Sequence, residues 1–283
     1  MLPRNKGILS PTFLVPNLSL VIAIVSVMAL YALVITPRAN EQLLTGKLMA
    51  AQATGEAYTP PRSIYIIMKD REQQAECILF VWACLILFYK LRNAGQEQKL
   101  LRHDFIRINQ GERIIPDDAL DRYKDLKAAV ERNPAWHGRL LPDFILAALH
   151  RFHSTGSVQD AAGAVKDRAE LAADTLDSDL SLTRYIAWAI PAVGFIGTVR
   201  GIGDALGQAD QAIKGDLSGV TSSLGLAFNS TLVALVLSMV QMYFMHMLQL
   251  RQENLIITLQ TYCREKLIDV MKVPTQEDPS AVV

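Results

Sequence analysis

Three hydroxyl side chains, Thr198, Ser230 and Thr231, stand where ionisable residues are scarce. The first lies in Ala187–Gly203 and the other two in Leu217–Met247, a stretch with no Asp, Glu, Lys or Arg. A hydroxyl in such surroundings offers one donor and two acceptor sites, enough to hold a water or a carboxylate. It also serves plain helix packing by bonding to nearby backbone, and the residue types leave both readings open. The neighbours are small and fall on one helical face in each stretch. Gly194, Gly197, Thr198, Gly201 and Ala205 follow i, i+3, i+4, i+7 and i+11, and Ser223, Ala227, Ser230, Thr231, Ala234 and Ser238 do likewise. Small faces let two helix backbones approach closely, while Leu226, Leu232, Leu235, Val236 and Met239 fall on other faces and suit lipid or neighbouring subunits. Arg200 is the costly residue. It lies about one turn from Asp204, so an Arg200–Asp204 ion pair at the outer interface is expected.

Other chemistries find little support. His150 and His153 stand at i, i+3, yet no carboxylate or thiol near them in sequence completes a metal set. Gly201-Ile-Gly-Asp-Ala-Leu-Gly207 has the wrong spacing for a dinucleotide loop, and no strand precedes it. Cys77, Cys84 and Cys263 form neither a disulfide framework nor a zinc spacing. With no nucleophile elbow, zincin motif or P-loop, the chain reads as a non-enzyme without metal or cofactor. Its 28 basic and 28 acidic residues give zero formal net charge, with no basic footprint for nucleic acid.

The elements that must carry these residues are membrane helices. About 20 apolar residues cross a bilayer, so Ala187–Gly203 and Leu217–Met247, joined by the polar bridge Asp204–Asp216, form a transmembrane hairpin. Phe13–Thr36, ending before Pro37, reads as an uncleaved first span rather than a signal peptide, whose apolar core is shorter. Residues 38–75 form an external loop, with a short surface helix over Glu41–Ala53 and an interfacial dip at Ile64–Met68. Ala75–Leu91 makes a second span. Four spans with both termini cytoplasmic place Arg4, Lys6, Lys90, Arg92, Lys99, Arg102, Arg184, Arg251 and Arg264 on one side, as the positive-inside bias asks.

The expected fold is therefore all-α and polytopic: a two-span region over 1–92, a helical cytoplasmic insertion over 93–183, the hairpin over 184–250, and a C-terminal helix and tail over 251–283. In the insertion, Asp117-Asp118 starts a helix that ends at Asn133-Pro134, and Pro142–His153 makes another, stopped near Gly156. Ser157 caps a third, whose stripe Ala161, Val165, Ala169, Ala172, Leu176 and Leu180 points into the third span as if continuous with it. Gln249–Lys272 keeps helical spacing, Pro274 ends it, and 275–283 reads as a disordered tail.

Two segments carry a resemblance. Pro191-Ala-Val-Gly-Phe-Ile-Gly-Thr-Val-Arg-Gly-Ile202 and Leu224-Gly-Leu-Ala-Phe-Asn-Ser-Thr-Leu-Val-Ala-Leu235 resemble, in order and spacing, the paired membrane helices of the MotA/TolQ/ExbB proton-channel family. The resemblance covers roughly 176–250, and the first half of the chain resembles the family in membrane topology alone. It implies a homo-oligomer, five subunits around two copies of a single-span ExbD/TolR/MotB-like partner bearing a membrane aspartate, in a bacterial inner membrane. Proton flow then drives relative motion. It further implies a proton pathway at Thr198, Ser230 and Thr231, lined and packed by Pro191, Gly194, Gly197, Gly201, Ser223, Ala227, Asn229 and Ala234. Relatives often carry an acidic residue near the start of the last span. Leu226 and Asn229 stand there here, so the expectation is that this chain brings no intramembrane carboxylate and the partner supplies the titrating group. A different class of reading is a membrane scaffold or sensor whose cytoplasmic helices recruit soluble partners without ion flow.

Overall fold

Long apolar runs without helix-breaking clusters fold as helices, because in a membrane every backbone polar group must be satisfied within its own segment. The computed structural model describes residues 11–52, 63–106 and 112–273. Among these there is no named strand, only one isolated parallel bridge between Ile114 and Met271. Among the described residues four helical stretches are long and apolar enough to cross a membrane: Leu14–Gly46, Arg71–Leu100, Val158–Leu206 and Ser218–Val270. The chain is an all-α membrane protein.

The residues form two compact units, one of Met1–Tyr89 with Ser181–His246, the other of Lys90–Leu180 with Met247–Val283. In the first, α1 (Pro11–Leu30) passes through a π-helical turn at Tyr31–Ile35 into α2 (Thr36–Gln52). Pro37 was expected to end this span, but the helix runs past it and absorbs the expected separate surface helix. Widening supplies the reason: Thr36 N–H bonds to Tyr31 O, and a π turn relaxes the stretch that must accommodate a proline ring. The short helix α3 (Ile64–Ile67) is capped by Ser63, whose Oγ accepts from Tyr65 N at 3.3 Å. The second span, α4 (Arg71–Leu100), is 30 residues long, and its helix begins four residues before the expected Ala75. Val27, Tyr31 and Ile35 pack on Cys77, Ile78 and Val81, and Trp82 Nε1 donates to Pro16 O at 2.9 Å.

The hairpin consists of α8 (Ser181–Leu206), the short α9 (Ala209–Ile213) and α10 (Ser218–Lys266). Ala83 and Ile86 of α4, Ile186 and Ile190 of α8 and Ala234 of α10 make one buried cluster, so three helices share a core. Gln241 Nε2 donates to Thr183 O at 3.1 Å, both side chains being buried. Leu232, Leu235, Val236 and Met239 are exposed, leaving an apolar outer surface.

The second unit holds α5 (Pro116–Arg132), α6 (Leu140–Thr155) and α7 (Val158–Ser178), with the last part of α10. Pro116 occupies the first turn of α5 and puts Asp117 and Asp118 inside it, one step later than expected. Gly156, at φ 66°, closes α6 in the left-handed conformation, and Ser157 Oγ caps α7 by accepting from Asp160 N at 3.2 Å. The stripe Ala161, Val165, Ala169 and Ala172 is buried against Phe144, Leu149, Phe152, Leu255 and Leu259, which makes it intramolecular packing. Within the helical stretch Val158–Leu206, a two-residue turn at Asp179–Leu180 marks the change from α7 to α8. His153 Nδ1 sits 2.9 Å from Pro116 O and His150 rests on the Tyr123 ring, so the two histidines are engaged in packing. The chain end ties back through Ile114, which bonds Val270 O at 3.0 Å and receives Lys272 N at 2.9 Å. The expected tail over 275–283 lies outside the described residues.

Candidate functional site

The small faces meet. A Cβ placed on Gly194 would lie 2.5 Å from Ala234 Cβ, and one on Gly201 would lie 2.7 Å from Ala227 Cβ and 2.9 Å from Ser223 O. Backbones this close account for the spacing of Gly194, Gly197 and Gly201, since any larger side chain would push α8 from α10. Gln208 Nε2 lies 2.9 Å from Ser223 Oγ and 3.0 Å from Asp204 O, tying the hairpin at its loop end. Pro191 stands inside α8 without breaking it, and Asn229 is half-buried on α10.

Thr198 and Thr231 face each other across this contact and are hydrogen-bonded through their hydroxyls. Thr198 Oγ1 is also 3.2 Å from Gly194 O and from Ala227 O, and Thr231 Oγ1 is 3.2 Å from Gly194 O. The two hydroxyl protons supply one bond between the threonines and one to a backbone carbonyl, which leaves a lone pair on each oxygen for a further donor. Both side chains are half-buried, and neither is sealed from the surface.

Ser230 points elsewhere. Successive helix positions are turned by about 100°, so the residue before Thr231 addresses a different neighbour. It is 1% exposed, and its Oγ donates to Glu76 Oε1 of α4 at 3.4 Å. Gly197 opens the room for this. A Cβ there would lie 2.2 Å from Ser230 Oγ and 3.1 Å from Glu72 Cγ, so the missing side chain admits groups from both other helices. Ser230 thus bonds into a second polar locus between α4, α8 and α10, apart from the Thr198–Thr231 bond.

That locus also takes Arg200. Arg200 pairs with Glu72, Nη1 to Oε1 at 2.7 Å, rather than with Asp204. Asp204 is exposed, whereas the Glu72 side chain is 12% exposed and gains more from a counter-charge. A carboxyl group joins this locus from the second candidate span: Glu76 lies within the helix Arg71–Leu100 and is fully buried, as is Gln73 one turn before it. Glu76 Oε2 and both amide atoms of Gln73 have no hydrogen-bond partner. The sequence carried a signal for this: Gln73, Glu76, Ala83 and Leu87 recur with helical spacing and form one buried face of α4. The expected span Ala75–Leu91 includes Glu76 but leaves out Glu72 and Gln73, which share its surroundings.

Comparison with known proteins adds a family. The model of the MotA/TolQ/ExbB proton channel family matches residues 138–261, which takes in α6, α7, the hairpin and the greater part of α10. The match begins well upstream of the expected 176, so α6 and α7 are part of the likeness, while α5 lies outside it. No curated protein and no solved structure matches the chain. With its glycine-lined hairpin, facing threonines and four potential spans, the chain is similar, over residues 138–261, to the MotA/TolQ/ExbB proton channel family.

Proposed function

We propose that this protein is a subunit of a proton-motive-force-driven motor in a bacterial inner membrane, with both termini in the cytoplasm. Several copies, five by family likeness, surround two copies of a single-span ExbD/TolR/MotB-like partner that brings a membrane aspartate. The observation that carries this reading is the Thr198–Thr231 hydroxyl pair, half-buried at the closest approach of two helices that fall within the family match. Hydroxyls with free lone pairs at that place hold a water or the protonated form of a partner carboxyl as it moves past. The work available is about 2.3 kcal/mol for each elementary charge crossing 100 mV, so a wet path along the hairpin supplies a motor. Gly194, Gly201, Ala227 and Ala234 hold the two threonines in register by keeping the backbones close.

The exposed apolar side chains Phe195, Val199, Phe228, Leu232 and Met239 support assembly, since they suit neighbouring subunits and lipid. Native mass spectrometry of the chain extracted with its membrane neighbours tests this reading. A homo-oligomer carrying a smaller single-span protein is the expected result, and a stable lone monomer contradicts it.

A further inference from the structure

Glu76 is not accounted for by the threonine path. It is completely buried among α4, α8 and α10, and one carboxyl oxygen accepts from Ser230 Oγ at 3.4 Å while the other has no partner. Among the described residues no Lys, Arg or His lies within ion-pair distance of it. The Arg200 guanidinium from α8 is taken by Glu72 at 2.7 Å. Gln73 stands three residues earlier on the same buried face of α4, with both amide atoms unpartnered. Tyr31, from the π turn, places its hydroxyl 3.8 Å from Cys77 Sγ, beside Glu76 in sequence. The titratable groups that interact with Glu76 are thus Glu72 and Cys77 from its own helix and Tyr31 from the first span, with Arg200 and Asp70 one step further off beside Glu72. From α10 it is faced by the neutral Ser230.

A buried, unpaired carboxylate is costly, and a carboxyl kept for packing alone is more cheaply replaced by an apolar side chain. Its neighbours suit both protonation states. A serine hydroxyl and a glutamine amide each donate to a carboxylate, and each accepts from the O–H of the neutral acid. A fixed ion pair has no such adaptability, which is what separates Glu76 from Glu72 four residues away.

We propose that Glu76, with Ser230 and Gln73, is a proton-binding site that this chain itself contributes inside the membrane. It takes up a proton as the neutral acid and releases it as the carboxylate. The proposal deepens the proton-channel reading and rests on it for the use made of the proton, and it places an exchangeable group on the far side of Gly197 from the threonine pair.

The test is reaction with a hydrophobic carbodiimide, which adds to protonated carboxyls in apolar surroundings and raises the peptide mass by one reagent molecule. Membranes containing the full chain are treated from about pH 5 to about pH 9, and the adduct is located by peptide mass spectrometry. The expected result is an adduct on Glu76 that declines as pH rises, with Glu72 unmodified at every pH. Lack of any adduct on Glu76 across the range overturns the proposal, as does an adduct whose yield is independent of pH. Because the wild-type chain gives the reading, misfolding of a variant does not blur it; Glu76→Gln serves to confirm the adduct's position by its loss. Thr198→Val with Thr231→Val is labelled in parallel and should modify Glu76 as the wild type does. Loss of proton flux in that double variant, with no labelling of Glu76 in the wild type, would leave the channel reading standing while this inference fails.

Discussion

Gly197 is the pivot of the three-helix contact, and a single methyl group tests it. In Gly197→Ala the new Cβ would lie 2.2 Å from Ser230 Oγ, 2.7 Å from Ser230 Cβ and 3.1 Å from Glu72 Cγ. Carbon and oxygen atoms not bonded to each other rest at roughly 3.5–4 Å, so relief requires a displacement on the order of 1 Å at Ser230. Overpacking of this kind costs about 1–3 kcal/mol, and the helix preference of alanine over glycine returns only about 1 of it. Gly203 on the same helix is the matched control, because a Cβ there meets nothing within 4 Å. The prediction is that Gly203→Ala is neutral or slightly stabilising, while Gly197→Ala lowers the thermal midpoint of the detergent-extracted protein, followed by size exclusion after heating. The displacement also moves Ser230 from Glu76, so carbodiimide labelling of Glu76 should change in Gly197→Ala alone. Equal midpoints for the two variants would refute the packing described for Gly197.

The Glu72–Arg200 pair should behave as a unit. Arg200→Gln leaves a largely buried carboxylate unpaired and should destabilise by roughly 1–3 kcal/mol, discounted because Arg200 is 43% exposed, whereas Glu72→Gln with Arg200→Gln should recover part of the loss in a thermal-shift cycle. Arrangement across the membrane follows from the basic residues: a cysteine at exposed Lys69 should react with an impermeant thiol reagent from outside intact cells, and one at exposed Asp118 should not. Reaction at Asp118 would reverse the proposed orientation.

Much of the molecule was legible in its residue pattern because the membrane imposes strong rules. The hairpin follows from length, absence of charge and small residues at helical spacing. The inward positions Gly194, Gly201, Ala227 and Ala234 and the outward Leu232 and Met239 follow from the same period. What stayed hidden depended on a third helix. Ser230 and Thr231 are adjacent, and only the approach of α4 shows that one turns to Glu76 and the other to Thr198. Arg200 has an acidic residue four positions on, which makes a local pair plausible, but burial of Glu72 makes the distant carboxylate the better partner. Pro37 misled for a local reason, since the π turn that accommodates it has no strong sequence mark.

The central claim is that protons move along the hairpin past Thr198 and Thr231. Replacing both with valine removes both partners of the shared hydrogen bond at nearly constant volume, so assembly should survive. The direct measurement is the rate of cytoplasmic acidification after an external acid pulse, in cells producing the chain with the single-span protein that copurifies with it. The wild-type complex should acidify the cytoplasm faster than cells lacking it, and Thr198→Val with Thr231→Val should return the rate to background with subunit composition unchanged. A double variant that assembles and conducts as the wild type would contradict the account.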